Sequence, residues 1–406
     1  MSIYNNFKKY NSFVKKNYIN NDFISQQNIL NNINKNIKSS KIAILKQNVE
    51  ILLFRILNFI SLKKSQNKKI LKIHYWLPKN NKNNYIDERS SYFLSKNKTR
   101  NQINLVRGNS LIFSMYLFFV IPNVIFIKGF NRTISISDFN NLKSYKNIFN
   151  FYETNEKILS NNLSDFFVKK KIKELIAIDD YRIIQTLLRA CKKAKVNSIG
   201  YQHGRFNNFQ IGLKGQCFDK YIVWSEYFKK KLININNNYK NKIIKTVNFR
   251  FKKSQINHNK NNILYICEQN INYENIFSDI EKLLKNKKNK KLFVRLREKD
   301  IYPQNFINFL NFNKIEIVQE KSLLATILKH KIRFLIGYTS TALLEASLYN
   351  VYPLIIIRNN LHLKEYLKEK LVFKLDKAFN LHKLEKELLS SEGKKKLEKI
   401  KKKLWN

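Results

Sequence analysis

The chain has 406 residues, which is too long for one ordinary hydrophobic core and predicts two α/β-sized domains. Its 44% apolar and 13% aromatic residues exclude an intrinsically disordered protein. The formal net charge of +48 suits a polyanionic partner, but the lysines are scattered along the chain beside abundant Asn and Ile. Compositional drift is therefore the main explanation of the charge, and use at a membrane or substrate a secondary one.

The three cysteines, Cys191, Cys217 and Cys267, lack the paired spacing of a disulfide framework or a zinc site and indicate a reducing cytosol. The first eighteen residues are polar and contain no apolar signal-peptide core. These features predict a cytoplasmic protein.

The chain begins with a polar helical region, residues 1–65, in which Lys41–Leu62 is predicted to be an amphipathic helix. Strands are expected at Ile70–Trp76, Gln102–Val106 and Val124–Lys128. The apolar run Leu111–Ile127 is split by Pro122, which favours a buried helix near Ser110–Ile121 followed by a strand over a membrane-dipping segment.

From Lys173 the pattern alternates between strand and helix, which is typical of a parallel sheet. The predicted elements are the strand Glu174–Ile178, a helix Tyr181–Lys195 with Asp180 as its N-cap, the strands Ser198–Tyr201 and Lys220–Trp224, and the helix Glu226–Leu232.

A polar stretch between Phe251 and Asn262 predicts a domain boundary, after which the alternation resumes. The expected strands are Ile263–Cys267, Leu292–Leu296, Phe334–Ile336 and Leu354–Ile357, and the expected helices Tyr273–Leu284, Ser322–His330 and Thr341–Tyr349. The fold class is therefore α/β, with two Rossmann-like doubly wound domains facing a cleft. The predicted organisation is a helical extension 1–65, domains 66–255 and 256–390, and a basic tail 391–406.

Glycine is scarce, with only eight in the chain, and a retained glycine usually meets a need for positive φ or close approach. Four of them cluster around His203, which directly follows the strand Ser198–Tyr201. A histidine at the carboxyl edge of a strand, between Gln202 and Gly204, suits a general base near neutral pH. A structural histidine held by local hydrogen bonds is the alternative. The other histidines, among them His74 and His330, have no comparable setting.

The segment Gly337–Ala346 is interpreted as the end of a strand, a polar turn and a helix. Thr339, Ser340 and Thr341 place hydroxyls and backbone N–H groups at a helix N-terminus, which favours a phosphate. Glu345, further into that helix, can accept hydrogen bonds from the hydroxyls of a ribose or sugar.

Alternating basic residues end the strand Leu292–Leu296. Arg295, Arg297 and Lys299 share one side of an extended chain and suit a diphosphate. A solvated strand end, with Glu298 and Asp300 as local partners, explains them equally well.

The C-terminal segment Lys394–Asn406 predicts a basic helix with the apolar stripe Leu397, Ile400 and Leu404. Such helices lie on anionic membrane surfaces, and a frayed, solvated tail is the alternative.

Taken together, the turn Tyr201–Gly204, the following segment Phe218–Glu226 and the Gly337–Glu345 motif resemble the GT-B glycosyltransferases, particularly bacterial enzymes that build capsule and lipopolysaccharide chains. The resemblance covers roughly residues 174–358. Several surface-polysaccharide families carry a Lys-Pro-His-Pro-like segment where this chain has Arg295–Asp300, so this chain departs from them there.

The resemblance implies roles for the residues singled out above. His203 would activate the acceptor hydroxyl, Gln202, Gly204 and Gly337 would shape the cleft, and Glu345 would hold a sugar or ribose hydroxyl. The phosphates of a nucleotide sugar would lie against Arg295, Arg297, Lys299, Thr339, Ser340 and Thr341. GT-B enzymes usually work without a metal, so no metal or cofactor is expected.

The expected function is therefore transfer of a sugar from a nucleotide-sugar donor to a glycan or lipid-linked acceptor, with inversion of the anomeric centre as a hypothesis. A CDP-glycerol-type polyol-phosphate transferase and a catalytically inactive homologue are alternatives. A nucleic-acid-binding protein is disfavoured because the basic residues do not cluster on one element.

Overall fold

The computed structural model describes residues 41–64, 67–74, 101–107, 111–121, 123–127, 142–178, 184–202, 204–206, 213, 215–246, 261–268, 273–287, 290–296, 302–320, 322–338, 340–356, 366–375 and 379–405. They form two compact units: unit 1 is residues 1–223 with 229–246, and unit 2 is residues 224–228 with 247–406.

Unit 1 is built on a sheet of seven parallel strands in the order β3-β2-β1-β4-β5-β6-β7. The strands are β1 Ile70–His74, β2 Gln102–Arg107, β3 Val124–Ile127, β4 Glu174–Ile178, β5 Asn197–Tyr201, β6 Lys220–Val223 and β7 Ile243–Thr246. The helices are α1 Lys41–Lys64, α2 Leu111–Val120, α3 Leu142–Lys169, α4 Ile184–Ala194 and α5 Glu226–Ile235, and a 3₁₀ turn spans Asn237–Asn241. The first three residues of α5 belong to unit 2.

Unit 2 contains six parallel strands in the order β10-β9-β8-β11-β12-β13. The strands are β8 Asn262–Ile266, β9 Leu292–Arg295, β10 Glu316–Ile317, β11 Ile332–Gly337, β12 Tyr352–Ile356 and β13 Phe373–Leu375. Its helices are α6 Tyr273–Asn286, α7 Gln304–Phe312, α8 Leu323–His330, α9 Thr341–Ala346, α10 Leu381–Leu389 and α11 Ser391–Trp405, with a 3₁₀ turn at Ser347–Tyr349.

Both sheets follow the doubly wound strand order 3-2-1-4-5-6, to which unit 1 adds a seventh strand. The central strands are mostly apolar, and every residue of β8 and of β12 is buried, because helices cover both faces of a parallel sheet. The α/β class and the doubly wound sheets are confirmed for each unit. The helix–strand interpretation of the apolar run is also confirmed, by α2 and β3.

The helix α1 packs against the edge of the first sheet through Phe54, which shares a cluster with Leu117 and Phe126. Both amide atoms of Asn58 hold β3: its nitrogen donates to Phe126 O at 2.8 Å and its oxygen accepts from Phe126 N at 2.7 Å. The prediction of an amphipathic helix is wrong, because α1 also carries an apolar stripe on its exposed side. Among the described residues, no helix has the length and apolar character needed to cross a bilayer.

The C-terminal helix α11 belongs to the core of unit 2. Leu397, Ile400 and Leu404 are buried, and the Trp405 ring stacks on Trp224 with centroids 6.1 Å apart. The indole N–H of Trp405 also donates to Ser347 Oγ at 3.0 Å. Both interpretations of this segment are therefore wrong. It is an ordered helix rather than a frayed tail, and its buried apolar stripe is not available to a membrane.

Candidate functional site

The strand order of unit 2 changes direction between β8 and β11, which pair in the middle of the sheet. In doubly wound folds, ligands bind outside the carboxyl ends of the strands at this switch point. The chain leaves β8 through Cys267 and Glu268, and it leaves β11 through Gly337 and Tyr338. The predicted Gly337 motif therefore lies at the topological switch point of its own unit.

A buried carboxylate fixes the turn after β11. Glu268 is only 9% exposed, and its Oε1 accepts a hydrogen bond from the backbone N–H of Tyr338 at 2.6 Å. A Cβ atom added at Gly337 would lie 2.9 Å from the same oxygen. Gly337 is thus required by close approach rather than by conformation, since no described glycine has a positive φ. Of the two backbone needs expected of these glycines, positive φ or close approach, the structure bears out close approach.

A second carboxylate holds the side chain of the same residue. Asp279 on α6 is 1% exposed, and its Oδ2 accepts hydrogen bonds from the hydroxyls of Tyr338 and, at 3.1 Å, Tyr265. Burial, followed by the nearby Tyr338 and Asp279, raises the pKa of Tyr265 well above its usual value. Tyr265 therefore stays protonated and remains a donor, and β8, α6 and β11 are tied together behind the turn.

The helix after the turn is short, and Ser340 is its N-cap. Ser340 adopts extended backbone angles, and its Oγ accepts from Ala342 N at 3.2 Å. Leu343 and Leu344 are buried, whereas Thr341 and Glu345 are half-buried. The first N–H groups of a helix have no acceptor within it, so this turn can donate hydrogen bonds to an anion. Thr339 lies outside the described residues.

Arg295, at the end of β9, is engaged within unit 2. Its two terminal nitrogens donate to Thr326 Oγ1 and to the carbonyl of Glu320, each at 2.9 Å. The Glu320 carboxylate in turn contacts His330 Nε2 at 2.8 Å and Lys329 Nζ at 2.9 Å. Arg295 thus helps to hold β9 to α8, and its contact with phosphate stays a prediction. Arg297 and Lys299 lie outside the described residues.

The candidate turn of unit 1 follows β5. Gln202 is 2% exposed; its backbone N–H donates to Ile222 O at 2.9 Å and its side-chain amide donates to Gly204 O at 2.8 Å. Gln202 therefore spans position 203 and fixes the residues on both sides of it. His203 itself lies outside the described residues, and its role as a base stays a prediction.

Another histidine, His74, ends a strand at the switch point of unit 1. The first sheet changes direction between β1 and β4, and His74 is the last residue of β1. His203 follows β5, which is one strand further from the switch point. Because His203 lies outside the described residues, the statement that His74 has no comparable setting stays a prediction.

No protein-family model matches the sequence, and no curated protein matches it. Among solved structures, the chain is similar to a Listeria monocytogenes protein described as a UDP-N-acetylglucosamine 2-epimerase, with 12% identity, a TM-score of 0.48 and coverage of 84% of this chain and 92% of that one. It is similar to UGT2 of Phytolacca americana, complexed with UDP-2-fluoro-glucose and pterostilbene, with 8% identity, a TM-score of 0.48 and coverage of 83% and 93%. It is also similar to MurG of Acinetobacter baumannii, with 6% identity, a TM-score of 0.48 and coverage of 81% and 93%.

Sequence reasoning missed Glu268, Asp279 and His74. Glu268 and His74 were detectable, because each is a polar residue at or just after the end of a predicted strand. The strand order that makes them central is visible only in the fold. Asp279 gives no such signal, since it lies within a helix and becomes important through the tyrosines that it binds.

The cysteines of unit 1 lie at the other edge of the sheet. Cys191 and Cys217 line a cavity of about 320 Å³ together with Ser198, Asp219 and Lys242, near the amino ends of β5, β6 and β7. Burial, followed by Asp219, raises the pKa of Cys191, and burial raises the pKa of Cys217 to about 11 against the opposing effects of Lys242 and Asn236. Both thiols are therefore protonated near neutral pH and are poor nucleophiles.

Proposed function

We propose that this protein is a glycosyltransferase that moves a sugar from a nucleotide-sugar donor to a surface-polysaccharide acceptor of the capsule or lipopolysaccharide type. The observation that carries the proposal is the position of the Gly337–Glu345 motif at the switch point of unit 2, where the buried Glu268 fixes the turn. A turn held in this way keeps its N–H groups and hydroxyls in one geometry before a ligand arrives, which lowers the cost of ordering them.

The donor would lie along this turn. Backbone N–H groups and the hydroxyls of Thr339, Ser340 and Thr341 would donate to the phosphates, and the half-buried Glu345 would accept from a ribose or sugar hydroxyl. The cations Arg295, Arg297 and Lys299 would balance charge on the departing nucleotide. In this proposal transfer needs no metal ion, because cations and helix N–H groups stabilise the leaving phosphate.

The acceptor hydroxyl would be deprotonated by His203, next to the turn that Gln202 fixes. A single base without a covalent nucleophile leads to inversion of the anomeric centre, which NMR of the product would establish. His74 is the competing base, because it stands at the switch point of the same sheet. We place the reaction in the cytoplasm at the inner face of the membrane.

Donor binding is tested by thermal unfolding in the presence of UDP-, GDP-, CMP- and CDP-linked donors. A bound donor at 100 times its Kd stabilises the folded state by about 2.7 kcal/mol, so one of the nucleotide sugars should raise the Tm. Glu345→Gln should weaken that shift, whereas Glu281→Gln, an exposed carboxylate of α6 in the same unit, should leave it unchanged. The absence of a shift with every donor would contradict the proposed donor site.

Transfer assays distinguish the remaining alternatives. Turnover of CDP-glycerol without turnover of any nucleotide sugar would identify a polyol-phosphate transferase. His203→Ala should abolish transfer while the donor shift persists, and loss in His74→Ala with retention in His203→Ala would move the base to β1. Salt-dependent binding of random-sequence DNA, without donor binding, would favour the nucleic-acid interpretation.

A further inference from the structure

The helix α1 is apolar on two opposite faces. One face packs Phe54 into the core of unit 1, while Ser61 is buried on the same side. At 100° per residue, the opposite face carries a second stripe, and all of its members are exposed: Val49, Leu52, Ile56, Phe59 and Ile60. Since Asn58 binds the backbone of β3, the rotation of the helix is fixed and the stripe faces outward.

The helix α2, which shares the buried cluster of Phe54, also exposes apolar side chains. Leu117 packs in the same cluster as Phe54, whereas Met115, Tyr116 and Phe119 are exposed, Phe119 to 78%. Of the fourteen large hydrophobic side chains that are exposed among the described residues, eight belong to α1 and α2. Clustering of this kind on a folded unit marks a surface for a partner or a membrane. We call these eight side chains the α1–α2 surface.

Positive charge surrounds the α1–α2 surface. The helix α1 contains five basic residues and one acidic residue, and α2 contains no charged residue. Arg55, Lys63 and Lys64 are exposed, and the Lys63 ammonium lies 4.8 Å from the centre of the Phe59 ring. A long basic side chain beside an exposed aromatic ring can keep its ammonium at a headgroup while the ring enters the acyl boundary.

We propose that the α1–α2 surface docks unit 1 onto an anionic lipid bilayer, with its apolar side chains in the interface and its cations against the headgroups. The charge of the chain favours this occupant over a second copy, because two copies would bring together like charges from chains of +48 each. The proposal does not depend on the donor chemistry, and it assigns membrane contact to a surface other than α11, whose apolar stripe is buried.

Cosedimentation of the full chain with phosphatidylcholine vesicles, with and without phosphatidylglycerol, tests this assignment. The protein should pellet with the anionic vesicles, and 1 M salt should weaken but not abolish binding, because apolar burial remains. The triple variant Leu52→Ser/Phe59→Ser/Phe119→Ser should lower the partition coefficient about tenfold or more. Its control is Phe312→Ser/Leu328→Ser, which removes two exposed apolar side chains of unit 2 and should bind as the unmodified chain does.

The charged residues are tested in the same way. Lys63→Gln/Lys64→Gln should weaken binding to anionic vesicles, whereas Lys394→Gln/Lys395→Gln on α11 should not. The replaced side chains are exposed, so an unchanged Tm would verify that each variant is folded. The proposal is overturned if the chain does not bind anionic vesicles, or if the triple variant and its control bind them equally. It is also overturned if the only effect of the triple variant is to convert a dimer to a monomer in light scattering. Donor-induced thermal shifts are read separately, so failure of one proposal does not imply failure of the other.

Discussion

Gly337→Ala probes the contact that fixes the turn of unit 2. The new Cβ would lie 2.9 Å from Glu268 Oε1, an oxygen that already accepts the Tyr338 N–H at 2.6 Å. The carboxylate must move, and that weakens a hydrogen bond to a charged acceptor in a buried place. The backbone itself tolerates alanine, because φ at this position is not positive.

The expected loss of stability in Gly337→Ala comes from overpacking and from the weakened hydrogen bond. Overpacking a buried site costs about 1–3 kcal/mol, and a hydrogen bond to a charged group contributes about 1.5–3 kcal/mol, of which part survives relaxation. We expect Gly337→Ala to reduce the free energy of unfolding by about 2–4 kcal/mol. For a unit of this size the Tm should fall by roughly 5–15 °C.

A double-mutant cycle with Glu268→Ala tests the cause. Glu268→Ala alone should cost about 1–3 kcal/mol, because the Tyr338 N–H loses its acceptor. Without the carboxylate, the nearest atoms to the new Cβ are those of Leu343 at 3.7 and 3.8 Å, an ordinary contact. Gly337→Ala should then be neutral or stabilise by about 0.4–1 kcal/mol. Equal costs of Gly337→Ala in both backgrounds, measured by guanidinium unfolding, would refute the proposed contact.

Three further outcomes are expected. Tyr338→Phe should destabilise the protein by about 1–3 kcal/mol in urea unfolding, because the buried Asp279 loses a donor, and an unchanged midpoint would show that the hydroxyl contributes nothing. The pKa of Glu320 is lowered to about 2, since hydrogen bonds from His330 and Lys329 outweigh the opposing effect of burial. Its stabilisation is present above its unfolded pKa near 4.5 and is lost as the pH falls towards 2, so the difference in unfolding free energy between the unmodified chain and Glu320→Gln should vanish over that interval. Trp405→Ala should cost about 3–5 kcal/mol through the lost packing on Trp224, and a loss below about 1 kcal/mol in thermal unfolding would mean that α11 is not part of the core of unit 2.

Most of the second domain was predictable because its longer strands are mainly apolar and alternate regularly with helices. The helix α8 shows the same agreement, since it spans Leu323–His330 where a helix Ser322–His330 was predicted. Ser322 is its N-cap, and the Ser322 Oγ accepts from Ala325 N at 3.1 Å. His330 at its end contacts Glu320, in agreement with a structural rather than a catalytic histidine. In this unit the local sequence preferences and the tertiary packing favour the same helices and strands, and such agreement allows the elements to be predicted from the sequence.

The helix α3 shows why other elements were not predicted. It is 28 residues long, yet its buried side carries Glu156, Ser160 and Ser164 before Phe167. Polar side chains at helical spacing produce no apolar stripe, so a search for helical periodicity does not detect this buried side. The apolar stripe of α11 led to an incorrect prediction of membrane contact. An apolar helix face flanked by lysines has the same sequence pattern whether it packs against a membrane or against the protein's own core.

The Gly337–Glu345 motif could be recognised in the sequence, but its contact with Glu268 could not. The order of the strands, which decides which loops lie side by side, is not visible in the sequence. Glu268 and Tyr338 are separated by 70 positions in the chain, yet they touch because β8 and β11 are the central pair of their sheet. The same rule applied to unit 1 selects β1 and β4, and therefore His74, although glycine spacing selects His203. Spacing along the chain identifies residues that need an unusual backbone, whereas strand order identifies residues that can meet a substrate. A transfer assay that compares the two histidine variants thus also measures which of these two signals locates a catalytic base.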